Sequence, residues 1–200
     1  MGVENRGDAD IRLMLAVRTG DLDAFETLHN RHQDKVLRFF YGLTGAPHVA
    51  SDLCQETFVR VWRIRKRYQA TSSFAAYLFG VARVVWMEHR RKVARLWKWE
   101  SPGGLDTLDA ATLLTPPDEE AARRETAARI FAALEQLPEE QRIVFVMRTI
   151  EGLPLEDIAT ALDCPVNTVR SRKILAVKRL RFLLQELYGD WVTSPSETKP

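Results

Sequence analysis

The sequence predicts an all-α protein made of two small helical domains, an N-terminal helical bundle and a C-terminal helix-turn-helix, joined by a flexible linker. Three observations carry this. Apolar residues recur three and four apart over long stretches. The alternating runs and Asn-Gly or Asp-Gly turns that mark strands are missing. A stretch from about Glu100 to Pro117 collects Pro102, Gly103, Gly104, Pro116 and Pro117 among small polar residues, the composition of a linker. The predicted boundaries are 1–98 for the first domain, 99–118 for the linker, 119–187 for the second domain and 188–200 for a disordered tail.

A short helix around Ile11 and Leu15 precedes Gly20. Phe25, Leu28, His32, Val36, Phe39, Phe40 and Leu43 make one helical stripe, with Asp21 placed to cap it and Gly42 and Gly45 to stop it. A further helix is expected from about Ser51 to Tyr68. Another starts near Ser72 or Ser73 and continues past Arg91, because Gly80 is the single glycine between His48 and Ser101 and no proline interrupts. After the linker, Asp118, Glu119 and Glu120 suit the positive end of a new helix. Pro138, Gly152 with Pro154, and Asp163-Cys164-Pro165 then cut the chain into short helices.

The 200 residues carry a net charge of +2, with 46% hydrophobic and 28% charged, which excludes a histone-like tail and a disordered chain. Such a length buries about two-thirds of the unfolded surface, so the fold needs no cross-links. Cys54 and Cys164 are too few for a disulfide framework or a four-thiolate zinc site. No apolar stretch approaches the ~20 residues of a membrane span. The acids among the first thirty residues are unlike a signal peptide. A soluble, cytoplasmic protein is expected.

In the C-terminal half, Leu155, Ile158, Ala159 and Leu162 form a short stripe. After the break, Val166, Val169, Lys173, Val177 and Leu180 form a second. Two helices of this size around a three-residue break match a helix-turn-helix, and small Ala159 permits a close crossing. The opposite face of the second helix presents Asn167, Thr168, Arg170, Ser171 and Ile174. Six basic residues and no acidic one lie between Pro165 and Phe182, whereas Leu134 to Asp163 holds seven acids against Arg142 and Arg148. Such a helix neutralises phosphates, and its polar N-terminal residues reach base edges in the major groove. The bland alternative is a solvated basic face.

In the N-terminal half, Ser51 to Arg63 puts Leu53, Phe58, Val61 and Trp62 on one side of a helix. Asp52, Gln55, Glu56, Arg60 and Arg63 take the other, a pattern that a merely solvated helix also shows. A basic run, Arg63 to Tyr68, leads into a polar loop holding Ser72 and Ser73, then Phe74, Tyr77 and Phe79. The next helix interleaves Arg83, Trp86, His89, Arg90, Arg91, Lys92 and Arg95, with Trp97 and Trp99 behind. Cations follow phosphates and rings stack on bases, so this mixture favours unstacked single strands. The alternative places the aromatics, Phe79 especially, in the core.

Over about residues 20 to 185 the chain resembles a bacterial RNA polymerase sigma factor of the extracytoplasmic-function (ECF) group. Asp52-Leu-Cys-Gln-Glu-Thr-Phe-Val-Arg-Val-Trp62 is similar to the family's polymerase-binding helix. Leu134-Glu-Gln-Leu-Pro-Glu-Glu-Gln-Arg142, Glu156-Asp-Ile-Ala159 and Thr168-Val-Arg-Ser-Arg172 resemble its minus-35 reader. The resemblance implies that Asp52, Leu53, Gln55, Glu56, Phe58, Arg60 and Trp62 bind core polymerase, at the coiled coil of the clamp. It implies that Tyr68, Ser72, Ser73, Phe74, Tyr77, Arg83, Trp86, His89 and Arg90 melt and read the minus-10 element. Asn167, Thr168, Arg170, Ser171, Arg172, Lys173 and Lys178 would read the minus-35 element, and the linker would thread toward the RNA exit path. The implied partners are core RNA polymerase, promoter DNA and an anti-sigma factor, with the chain monomeric and without cofactor or metal. Three positions depart from the family pattern: Val84 where Asn is frequent, Glu88 where Asp is, and Leu175 where Arg is.

Two rivals are weighed. An autonomous helix-turn-helix regulator explains residues 134 to 187 but neither the Asp52–Trp62 face nor the aromatic basic helix, and it normally dimerises on a two-fold site. An enzyme lacks a phosphate loop, a Gly-x-Ser-x-Gly elbow and a His-Glu-x-x-His pattern. His29 and His32 stand three apart as metal ligands can, but His32 lies on the apolar stripe.

Overall fold

Caps and glycines set the frame of the N-terminal half. The computed structural model describes the backbone of residues 6–99 and 117–188 and the side chains of 9–96 and 125–185. Helix α1 (Arg6–Thr19) ends at Gly20, whose φ of 106° turns the chain. The Asp21 carboxylate accepts a hydrogen bond from the Ala24 N–H at 2.9 Å and starts α2 (Leu22–Thr44). Gly45 closes α2 in the left-handed region, its N–H returning to the Tyr41 carbonyl. The stripe from Leu28 through His32, Val36, Phe39 and Phe40 to Leu43 is buried as predicted, and Phe25 is packed at its edge.

Helix α3 (Pro47–Ile64) begins at Pro47 rather than near Ser51, because proline's fixed φ suits the first helical turn. A tight turn, Arg65–Arg67, follows. Ser73 caps α4 (Phe74–Trp99), its hydroxyl accepting from the Ala76 N–H at 3.1 Å. In the C-terminal half, α5 (Pro117–Glu135) precedes α6 (Glu139–Phe145), which runs into a wide turn at Val146–Ile150. Helices α7 (Leu155–Leu162) and α8 (Val166–Tyr188) form the helix-turn-helix. Asp163 adopts φ 50° at the break, a conformation that aspartate tolerates better than most residues. No strand occurs among the described residues. Residues 100–116 of the expected linker and 189–200 of the expected tail lie outside them.

The two helical domains pack on one another, a contact that the sequence reading does not foresee. Ala133, Leu134 and Leu137 close with Ala176, Leu180 and Leu183 as a core belonging to the C-terminal half alone. Ile143, Val146, Met147, Ile158, Leu162 and Val169 instead join the cluster that holds Phe39, Phe40, Leu78, Phe79 and Trp86. Helix α4 packs on α7 and α2 on the Val146–Ile150 turn. The first crossing is close but leaves room: a Cβ on Gly80 would lie 3.5 Å from the Ala161 carbonyl oxygen, an ordinary contact. On Gly42 it would lie 3.1 Å from Val146 Cγ1 and 3.2 Å from Ile150 Cδ1. Arg38 reaches across to Glu151 at 3.0 Å, and Tyr41 meets Phe131 edge-on with centroids 4.9 Å apart. Burial raises the Glu151 carboxyl above its ordinary range, against the pull of Arg38.

Candidate polymerase and promoter interfaces

The outward face of α3 keeps part of its predicted set. Asp52 and Gln55 are exposed, and Glu56, Arg60 and Trp62 are partly exposed. Arg60 is held by Glu56 at 3.1 Å, one turn back, and by Glu88 of α4 at 2.7 Å. The Glu88 hydrogen bond raises the guanidinium pKa and lowers that of Glu88. Trp62 lies under the Arg65 guanidinium at 4.1 Å and beside Phe25 at 5.1 Å. Leu53 and Phe58 point the other way. They are 7% and 3% exposed, Phe58 against the His29 ring, so in this structure they support the face rather than form it. His29 and His32 do not converge: His32 Nε2 donates to the Asp10 carboxylate at 2.7 Å. Among the described residues no group of three metal-ligating side chains comes together.

The predicted strand-reading set separates into two layers. Tyr68 and Phe74 are 2% and 1% exposed and belong to the core; Tyr77 packs edge-on against Tyr68 at 4.9 Å. Burial raises both tyrosine pKa values, that of Tyr77 to about 12. Ser73 is occupied as the cap of α4, and Ser72 is partly exposed beside it. The periodicity places these rings on a helical stripe but cannot show that the loop before α4 folds under it. Arg83, Trp86, His89 and Arg90 form the outer layer, together on one side of α4. His89 stacks on Trp86 at 5.8 Å, and burial, then Lys92 and Arg90, lowers its pKa. Arg90 is exposed, but Trp86 is only 3% exposed.

Three residues that the sequence reading leaves without a site role pack against this layer, two of them on Trp86 itself. The indole N–H donates to Glu139 at 2.9 Å, and the same carboxylate lies 3.6 Å from Arg90. Glu140 lies 3.4 Å from Arg83 and 3.0 Å from Arg172 of α8. The guanidinium of Arg142, itself 4% exposed, sits 5.8 Å from the Trp86 ring centroid. Burial, then Arg90, lowers the Arg142 pKa. The signal available in the sequence is the excess of acids before the helix-turn-helix, opposite an excess of cations in α4.

Helix α8 presents its predicted polar residues openly. Asn167, Arg170 and Ser171 are exposed, and Thr168 is half-buried. Arg170 donates to the Asn167 side chain at 2.8 Å, which orients the guanidinium along the helix edge. Ser171 bonds back to the Asn167 and Thr168 carbonyls at 2.9 and 3.1 Å. Lys178 is exposed and Lys173 partly so, whereas Arg172 turns inward to Glu140 and Cys164. Val84 and Leu175, two of the departures, are 45% and 50% exposed.

Comparison with known proteins decides the family. Residues 28–96 match the model for Sigma-70 region 2, and residues 127–180 that for Sigma-70, region 4. The chain is 30% identical over 185 residues to the RNA polymerase sigma-H factor of Pseudomonas aeruginosa, covering 90% of this chain and 96% of the relative. The chain belongs to the ECF group of RNA polymerase sigma factors. The ECF sigma factor SigE of Mycolicibacterium smegmatis is 34% identical over 157 residues, which are 77% of this chain and 60% of that protein. The ECF sigma-E factor of Haemophilus influenzae is 28% identical over 183 residues, 89% of this chain and 96% of the relative. This sigma factor shares its fold with CnrH in complex with the cytosolic domain of CnrY, at TM-score 0.66 and 24% identity over 90% of this chain and 99% of that one. It also shares it with RpoE in complex with the anti-sigma factor NepR from Bartonella quintana, at 0.67 and 22% over 82% and 98%. As a sigma factor it directs RNA polymerase to promoters. No helix among the described residues is long and apolar enough to cross a membrane.

Proposed function

We propose a division of labour by residue. Asp52, Gln55, Glu56, Arg60 and Trp62 dock on the clamp coiled coil of core polymerase. Arg83, Trp86, His89 and Arg90, with Ser72 beside them, capture the opened minus-10 strand. Tyr68, Ser73, Phe74 and Tyr77 hold that surface in place from beneath. Asn167, Thr168, Arg170 and Ser171 read the minus-35 duplex, and Lys173 and Lys178 follow its phosphates. Catalysis belongs to the polymerase; this chain supplies address and melting, acts as one copy in the cytoplasm, and is held by an anti-sigma factor.

The observation that carries this reading is the exposed, pre-oriented Asn167–Arg170 pair at the start of a helix whose basic stretch holds no acid. Arginine in that place pairs bidentately with guanine in the major groove. Initiation by purified core polymerase on a library of randomised minus-35 elements tests it. Arg170→Ala is expected to cost roughly 1–3 kcal/mol of discrimination, at one base position, with polymerase binding intact. Equal loss on every minus-35 sequence rules base reading out. Glu56→Lys is expected to weaken co-purification with core enzyme, because it reverses a charge on the docking face.

A further inference from the structure

The minus-10 surface of α4 is already occupied by the chain itself. A single strand offers three things to such a surface: negative charge for the arginines, a hydrogen-bond acceptor, and a flat group to lie over the ring. The start of α6 offers all three. Glu139 and Glu140 bring carboxylates to Arg90 and Arg83, Glu139 accepts the indole N–H, and the planar Arg142 guanidinium lies over Trp86. Acids in the first turn of a helix are favoured by its dipole, which accounts for their presence there. It does not account for their aim, which is across the domain boundary at α4. Glu140 also spans the two reading helices, since its second oxygen holds Arg172 of α8.

We infer that Glu139, Glu140 and Arg142 form an intramolecular latch that imitates the promoter strand on Arg83, Trp86 and Arg90, so that strand capture requires the two domains to separate. The inference rests on the assignment of those α4 residues to the minus-10 strand. In the latched state the stacking face of Trp86 is closed to a base. The exposed edge of α8 stays available to duplex, so the latch blocks opened DNA selectively.

A reversible lock tests this in the full chain. A Cβ on Gly80 would lie 3.7 Å from the Ala161 Cα, within reach of a disulfide. Gly80→Cys with Ala161→Cys, in a Cys164→Ser background, holds the domains together when oxidised and frees them when reduced. Binding of a labelled single-stranded deoxyoligonucleotide of mixed sequence is followed by fluorescence anisotropy. Reduction is expected to tighten binding roughly tenfold, the worth of about one stacked base, and Arg83→Ala with Arg90→Ala should abolish that gain. Without the added cysteines, Glu139→Gln with Glu140→Gln should bind more tightly than the wild-type chain. Equal binding by the oxidised and reduced forms, weakened in both by Arg83→Ala with Arg90→Ala, overturns the latch and leaves the strand assignment standing; no binding by either form overturns both. A gain on reduction that survives loss of both arginines overturns the strand assignment itself, and the latch with it.

Discussion

Helices α4 and α8 both carry rows of cations that we propose face DNA, yet they sit in opposite surroundings. Trp86 on α4 is 3% exposed, under side chains of the other domain, whereas Arg170 and Ser171 on α8 face solvent. The difference fits what each is proposed to bind. A duplex reader needs only a helix edge and a groove, and its specificity lies in hydrogen bonds that wrong sequences cannot satisfy. A strand-capturing surface relies on stacking, which every base offers, so left open it binds indiscriminately. Covering the second and exposing the first is the arrangement that physical reasoning favours.

The largest effect that can break this contrast is on stability. Trp86→Ala removes a buried indole and its hydrogen bond to Glu139, and is expected to cost about 3–5 kcal/mol in urea unfolding. Arg170→Ala removes an exposed side chain and is expected to stay within about 0.5 kcal/mol. Similar losses from the two would show that α4 is no more covered than α8. Next in size is a split within α8. Lys178→Ala is expected to weaken DNA binding alike on all sequences and to reduce the salt slope by about one, whereas Arg170→Ala changes preference at one base. Salt titrations on matched and scrambled minus-35 duplexes separate the two.

The halves of this contrast were unequally legible in the sequence. The helix-turn-helix announces itself through Ala159, Asp163-Cys164-Pro165 and an acid-free basic stretch, because those features are local. Helix α2 is equally plain, from its Asp21 cap to Gly45. What the sequence hides is long-range. Helix α4 is packed on α3 from one side and α7 from the other, so its rings have no single inward face. Tyr68, Phe74, Leu53 and Phe58 carry the residue types of a binding surface but fill the core. Gly42 and Gly80 look like weak points in helices until Val146, Ile150 and Ala161 are seen against them. Glu139 and Glu140 look like ordinary helix-start acids. In each case the residue type is right for a nearby local role, and only the partner from the distant half changes its meaning.

A smaller effect concerns pH and the base of the N-terminal bundle. His32 is 6% exposed, and burial lowers its pKa from 6.5 although Asp10 pulls it up. Lys35 and Arg31 also act on it, lowering it slightly. The folded form therefore prefers neutral imidazole, while the unfolded chain takes up a proton near the ordinary value. Protons bind more readily to the unfolded state, so stability is full above about pH 6.5 and falls as the pH drops below it. Urea midpoints between neutral and mildly acidic pH should decline in the wild-type chain and decline less in His32→Gln. Burial lowers the His89 pKa in the same direction, so His89→Gln removes a further share from α4, while substitutions on exposed α8 leave the slope unchanged.

The smallest expected effect lies where α4 does reach the surface. Glu88 is half exposed and bonds Arg60 at 2.7 Å, so it ties α4 to the proposed polymerase face. Aspartate, frequent at this position in the family, is one methylene shorter. Glu88→Asp is expected to open the contact and cost no more than about 0.2–1 kcal/mol, the worth of an exposed ion pair. A double-mutant cycle with Arg60→Ala measures that coupling directly. Arg60 keeps Glu56 in either case, so its side chain stays on α3 and loses only its link to α4. If the pair serves the docking face, Glu88→Asp should alter affinity for core polymerase by more than it alters stability. A cycle with no coupling in either measurement removes Glu88 from the site and leaves α4 with no contact to the docking face through Arg60.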